Sequence, residues 1–310
     1  MTAELDFVAA LRTLATSPAA RGLRDDAALL GDYVLTHDMI AEGVHYLSDN
    51  ASDSVAEKLV AVTLSDLAAK GATPVGVLLG FCLGGSDWDR QFVAGLGAAL
   101  ASYDCALLGG DTIALPAGAP RVLGLTAIGR AGKRVPDRAG GQAGDGLWLV
   151  GLLGDSAAGL AQLLADPNAT GPLVEAYRRP RALIAEGRAL ASHATAMMDV
   201  SDGLLIDARR LAEASGVQIV IHLENVRLSP AFRAARGSGR DARLFAATGG
   251  DDYALLAALP RGAEAEVTKS LSGRAHLVRI GELVAGAGIA LTDEGDPLAL
   301  PEHLGHEHRI

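Results

Sequence analysis

The chain has 310 residues, 49% hydrophobic and 21% charged, which favours two domains with buried cores and excludes a disordered or low-complexity protein. Its formal net charge of −10 argues against nucleic acid or an anionic membrane as the main partner, while phosphate ligands stay open if metal ions intervene. Two cysteines in apolar runs, Cys82 and Cys105, make no disulfide framework, and with an acidic start and no apolar run near the ~18 residues of a membrane span the expectation is a reduced, cytoplasmic protein.

In chain order, the spacing of Leu5, Val8 and Leu11 predicts a short helix over 4–15. Two strand-like runs, 27–30 and 33–36, flank Gly31-Asp32 and read as a hairpin in which Leu30 faces Tyr33. Counting back along that register puts Asp26 opposite His37 and Asp25 opposite Asp38. A helix is predicted over 53–70, stopped by Gly71 and Pro74, then a strand over 75–83, a helix near 87–102 and strands over 104–110 and 121–129. The glycine- and arginine-rich stretch 130–145 marks the domain boundary, giving domains 1–136 and 137–310. Beyond it come strand 147–150, helices 156–165 and 180–191, strand 196–200, helix 204–214 with Gly216 as its stop, strand 217–223 and strand 254–259. The alternation of strand and helix predicts α/β architecture in both halves.

The informative residues are acids at the ends of apolar segments. Like charges opposed across a hairpin destabilise it unless a cation lies between them; a solvated hairpin mouth explains the same acids equally well. Asp66 shares a helix face with Val55, Leu59 and Val62, and the expectation is a carboxylate with no cationic partner on its own helix. Such an acid must be paired, protonated or metal-bound. In Ala106-Leu107-Leu108-Gly109-Gly110-Asp111-Thr112 a strand is expected to end at two glycines and an acid, either a ligand site or a plain turn. Met198-Asp199-Val200-Ser201-Asp202-Gly203 runs from a strand straight into a helix. A helix N-terminus attracts phosphate, and Asp199 and Asp202 would repel it unless a divalent cation bridges them, which reads as Mg²⁺-nucleotide chemistry. Thr248-Gly249-Gly250-Asp251-Asp252-Tyr253 repeats the glycine–acid pattern before an apolar strand. There is no P-loop, no protein-kinase signature, no Gly-x-Ser-x-Gly elbow and no zinc-type Cys/His cluster. His303, His306 and His308 alternate with acids in what reads as a solvated tail.

Taken together, Gly22–Leu29, Thr36-His37-Asp38-Met39, Glu42–Tyr46, Leu64–Ala72, Leu108–Thr112, Gly154–Gly159, Asp199–Gly203 and Gly249–Tyr253 resemble, in order, the thiamine-monophosphate kinases of the aminoimidazole ribonucleotide synthetase-like superfamily. The resemblance implies an α/β (α+β) two-domain fold, an N-terminal sheet domain that binds ATP and Mg²⁺ and pairs into a homodimer, and a C-terminal α/β domain. It implies several Mg²⁺ ions held by Asp26, Thr36, Asp38, Asp66, Asp111, Asp199 and Asp202. Gly110, Arg138 and Ser201 match nucleotide contacts, and His45 and Asp251 match substrate contacts. The implied reaction moves the γ-phosphoryl group of ATP onto thiamine monophosphate, with no covalent nucleophile. A non-catalytic Mg-nucleotide-binding regulatory homologue and another synthetase of the superfamily are the alternatives.

Overall fold

The structure is a computed structural model that describes residues 3–271, 273 and 275–307; His308 lies outside them. The first half holds α1 (Ala3–Arg12), β1 (Ala28–Leu30), β2 (Tyr33–Ala41), α2 (Ser52–Ala69), β3 (Thr73–Leu83), α3 (Ser86–Ser102), β4 (Ala106–Ala114) and β5 (Val122–Arg130). The second half holds β6 (Gly146–Val150), α4 (Asp155–Ala165), α5 (Pro172–Arg178), α6 (Ile184–Ala191), β7 (Ala196–Val200), α7 (Leu204–Ser215) and β8 (Gln218–His222). It continues through α8 (Pro230–Arg236), α9 (Arg240–Gly249), β9 (Ala254–Leu259), α10 (Glu264–Leu271), β10 (Leu277–Val284), β11 (Gly288–Asp293) and β12 (Asp296–Leu298).

Five strands form one sheet in the order β1-β2-β5-β3-β4, and seven form another in the order β12-β11-β8-β10-β6-β9-β7. Pairing is mostly antiparallel; β3/β4 and β8/β11 are parallel. The hairpin register sets Leu30 against Tyr33, as its two-residue turn requires. β1 begins only at Ala28, so the ladder never extends to Asp25 and Asp26. One face of the five-stranded sheet packs on α2 and α3 around Val34, Leu59, Leu67, Phe92, Leu123 and Leu125. The other face leaves Tyr33, Met39, Val75, Leu78 and Leu83 exposed. His37 belongs to that open face, where Nδ1 meets Thr126 Oγ1 at 2.8 Å. Neighbours on a strand point to opposite faces, so Asp38 points inward instead.

α2 is the pillar between the halves. It is apolar almost all round because both sides of it are covered, by the first sheet and α3 and by α6 and β7. The approach to α6 is close: a Cβ at Gly187 would lie 2.1 Å from Ala68 O. Leu59, Leu64 and Leu67 are fully buried along it, each worth about 1.5–3 kcal/mol of burial. Two lysines, Lys58 of α2 and Lys70 at its C-cap, are equally buried and reach across to the second half.

β4 departs from expectation. It does not stop at Gly109-Gly110 but runs on to Ala114, so Asp111 lies mid-strand, paired with Gly80. Gly110 is demanded by the strand itself, since a Cβ there would lie 2.0 Å from Leu79 O. The C-terminal segment differs too. Leu304 packs on the second core, and His306 donates its N–H to Asp202 O at 2.8 Å.

Candidate active site

The segment leading into β1, the end of α2 and the end of β7 bring three carboxylates together. One oxygen each from Asp26, Asp66 and Asp199 lies within 4.8 Å of the others. Thr36 Oγ1 donates to Asp66 Oδ2, and Ser65 Oγ donates to Asp199 Oδ2 at 2.6 Å. Asp38 sits beside them, and its Oδ2 is buried without a hydrogen-bond partner. Burial, followed by the negative charge of Asp26, raises the Asp38 carboxyl to about 6 and that of Asp199 to about 8. Asp66 is pushed well above the carboxylate range by burial and by Asp38, Asp199 and Asp26.

Asp26 is the exception. Burial alone would raise it, but Lys70 and Arg138 hold it down at about 2. Lys70 Nζ lies 2.7 Å from Asp26 Oδ2 and 2.5 Å from Asp25 Oδ1, and also donates to Met197 O at 3.0 Å. Arg138 pairs with Asp26, and Arg21 with Asp25. Lys70 stands one helical turn after Asp66 and so offers a cation on the same helix, contrary to expectation, yet its ammonium goes to Asp25 and Asp26. The helix therefore supplies an acid and a base that serve different partners. Lys70 and Asp25 were missed because their pairing closes across 45 residues.

The loop between β7 and α7 carries Ser201 and Asp202. Its shape is set by Asp207, a fully buried acid on the apolar side of α7. Asp207 Oδ2 accepts the N–H groups of Ser201, Asp202 and Gly203 at 3.1, 3.1 and 3.2 Å. These N–H groups belong to the two loop residues before α7 and to its N-cap, Gly203, so an acid within the first turn of the helix pins the approach to it. Burial still pushes the Asp207 carboxyl up to about 6, against the pull of Arg210. A lone acid among Leu204, Leu205, Ile206 and Ala208 is the sequence signal that could have found it.

The second glycine–acid loop is stitched to the first: Asp251 N–H donates to Ser201 O at 2.6 Å and Tyr253 N–H to Val200 O at 2.8 Å. Asp251 and Tyr253 adopt left-handed backbone angles there, with φ of 63° and 54°. The Asp251 carboxylate is held by Lys58 Nζ at 2.6 Å, Ser156 Oγ at 2.7 Å and Tyr253 Oη at 2.9 Å. Asp252, the second acid of the same stretch, accepts the Gly154 N–H at 2.8 Å.

Between these groups lies a cavity of about 340 Å³. Asp38, Asp66, Asp199, Ser201 and Asp202 line it, as do His45, Tyr177, Asp251, Tyr253 and His306. His45 is oriented by the Ala41 N–H, 3.1 Å from its Nδ1. A second cavity of about 480 Å³ adjoins Asp202 and is ringed by Arg12, Arg24, Arg138 and Arg210. Of the sequence candidates, then, Asp26, Thr36, Asp38, Asp66, Asp199, Ser201, Asp202, His45 and Asp251 converge, and Arg138 reaches the group through Asp26. Asp111 and Gly110 stand apart on β4, three strands from β2 and so roughly 14 Å across the sheet.

A carboxylate-lined cavity that shares Asp202 with a neighbouring cavity ringed by arginines suits phosphates gathered by divalent cations. Residues 24–131 match the family description AIR synthase related protein, N-terminal domain, and residues 142–294 match AIR synthase related protein, C-terminal domain. The chain is 37% identical to a thiamine-monophosphate kinase of Caulobacter vibrioides, across 98% of this chain and 90% of that protein. A solved structure described as AaThiL complexed with AMPPCP and TMP superposes with a TM-score of 0.84 at 28% identity, covering 98% and 97% of the two chains. The thiamine-monophosphate kinase of Stenotrophomonas maltophilia K279a superposes with a TM-score of 0.77 at 34% identity, covering 94% and 96%.

Proposed function

This chain belongs to the AIR synthase related family, and within it to the thiamine-monophosphate kinases; on that premise we propose how its central cavity moves the γ-phosphoryl group of ATP onto thiamine monophosphate. The observation that carries the reading is the cluster of Asp26, Asp66 and Asp199 at the wall of a cavity that Asp66 and Asp199 line together with Asp38 and Asp202. The donor set fits Mg²⁺, a hard cation that takes oxygen ligands, and the unpartnered, buried Asp38 Oδ2 is an oxygen awaiting one. Asp26, Thr36, Asp38, Asp66, Asp199 and Asp202 would hold it. Bound there, Mg²⁺ supplies the charge that lets two anionic substrates approach.

The chain's own groups position the reactants. Arg138, from the arginine-lined cavity, and Ser201, from the central one, contact the nucleotide. His45 and Asp251 contact thiamine monophosphate. The Asp251 carboxylate, fixed by three donors, faces the cavity as a counter-charge to the cationic thiazolium ring. Phosphoryl transfer between bound groups needs orientation and electrostatic stabilisation more than covalent chemistry, so no enzyme nucleophile is invoked.

The division at 136/137 is retained, supported by two sheets that draw their strands from opposite sides of it. The exposed β4 and the open sheet face, with Met39, Leu78, Leu83, Leu107, Leu108 and Ile113, support pairing of two N-terminal domains. Gly110 and Asp111 would then serve the nucleotide and metal only within the assembled homodimer. No helix among the described residues is long and apolar enough to cross a membrane, and the cytoplasm, where ATP is available, is the proposed location.

The test is ADP release with ATP, Mg²⁺ and thiamine monophosphate by the wild type and by Asp66→Asn. Turnover in the wild type and a loss of at least about 10³-fold in the folded variant support the assignment. Near-normal kcat in Asp66→Asn at saturating Mg²⁺ overturns it.

A further inference from the structure

Arg210 matches none of the motifs that carry the resemblance, yet it holds one of the proposed metal ligands. Its Nη1 donates to Asp202 Oδ2 at 2.5 Å and to Asp207 Oδ1 at 2.7 Å. The two carboxylates are not equivalent. Asp207 is fully buried and fixed by three backbone N–H groups. Asp202 is 26% exposed and lines both the central cavity and the arginine-ringed one. Arg210 is 31% exposed and lines the second cavity beside Arg12, Arg24 and Arg138; among the described residues its other N–H groups make no further hydrogen bond. Any cation that uses Asp202 competes with this ion pair, and only the Asp202 end of it can let go.

We propose that Arg210 is a pivoting counter-ion: anchored on Asp207, it releases Asp202 to a divalent cation and turns its freed N–H groups onto a phosphate in the neighbouring cavity. The planar guanidinium suits this, because its donors form a rigid fork that holds one carboxylate while engaging a second oxyanion. The role makes metal and nucleotide binding interdependent. Metal alone must displace an arginine, whereas metal arriving with a phosphate gives that arginine a new partner.

This inference rests on the kinase reading, but its test does not depend on turnover. Mn²⁺ binding to Arg210→Gln, without nucleotide, is followed by the electron paramagnetic resonance of free Mn²⁺, and binding of a non-hydrolysable ATP analogue by calorimetry. Roughly tenfold tighter Mn²⁺ with roughly tenfold weaker analogue, the scale of one adjacent charge, is expected. Arg210→Lys, which keeps a cation for Asp207, should keep the fold and give a smaller change in both. Unchanged or weaker Mn²⁺ binding by folded variants overturns the competition, and unchanged analogue binding overturns the phosphate contact. A wild type that binds no Mn²⁺ fails the metal reading itself, a separate result.

Discussion

Replacing Asp199 by Asn should make the protein more stable and less active, with a gain that depends on pH. Asp199 is 4% exposed and its carboxyl is raised to about 8 by burial, then by Asp26. A carboxyl raised in the folded state binds more protons there than in the unfolded chain. Stability therefore falls as pH climbs from the ordinary value near 4 toward 8. At about 1.4 kcal/mol per pH unit the full penalty above pH 8 approaches roughly 6 kcal/mol. Relaxation of the site, and the charges left on Asp26, Asp38 and Asp66, should leave a gain of about 2–3 kcal/mol for the uncharged amide. The amide oxygen can still accept from Ser65 Oγ, so no donor is orphaned. Thermal unfolding followed by circular dichroism without divalent cations should show Tm higher by roughly 4–10 °C at pH 8.5 and nearly unchanged at pH 5. Turnover should fall by at least about 10³-fold. An equal loss of stability at both pH values would refute the placing of Asp199 among like charges.

Mg²⁺ should shed protons as it binds at pH 7, because the raised Asp66 and Asp199 carboxyls must ionise to receive it; calorimetry in buffers of different ionisation enthalpy counts them, and a count of zero contradicts the site electrostatics. Asp207→Ala leaves three N–H groups without their acceptor and Arg210 with Asp202 alone, and should cost about 3–5 kcal/mol in urea denaturation; a change below about 1 kcal/mol would show that the loop holds its own shape. Leu108→Glu on β4 should yield a folded monomer by analytical ultracentrifugation with impaired turnover, whereas an undisturbed dimer would move the interface elsewhere.

Local signals reached the sequence most clearly. The hairpin register followed from one two-residue turn, and α2 from an apolar run between a polar start and Gly71. α8, α9, α10 and the strands β10 to β12 lie where charged residues and glycines interrupt the apolar pattern; most are held by packing on the large core of the second half, and α10 packs through Val267 and Leu271 beside Leu190, Leu255 and Leu259. Gly109-Gly110 looked like a strand end because glycine is read as a turn; here it lets β4 pass close to β3. The converging carboxylates were legible as isolated acids in apolar segments. Their partners were not: Lys70 with Asp25, Lys58 with Asp251 and Arg138 with Asp26 close over 45, 193 and 112 residues, and no spacing rule links them.

Several distant aspartates form one cation and phosphate site. Anomalous diffraction from crystals grown with Mn²⁺, a non-hydrolysable ATP analogue and thiamine monophosphate tests it most directly. The account predicts manganese peaks within coordination distance of Asp26, Asp66 and Asp199, with analogue phosphates on the same ions. Peaks elsewhere, or phosphates bound with those three carboxylates empty, would contradict it.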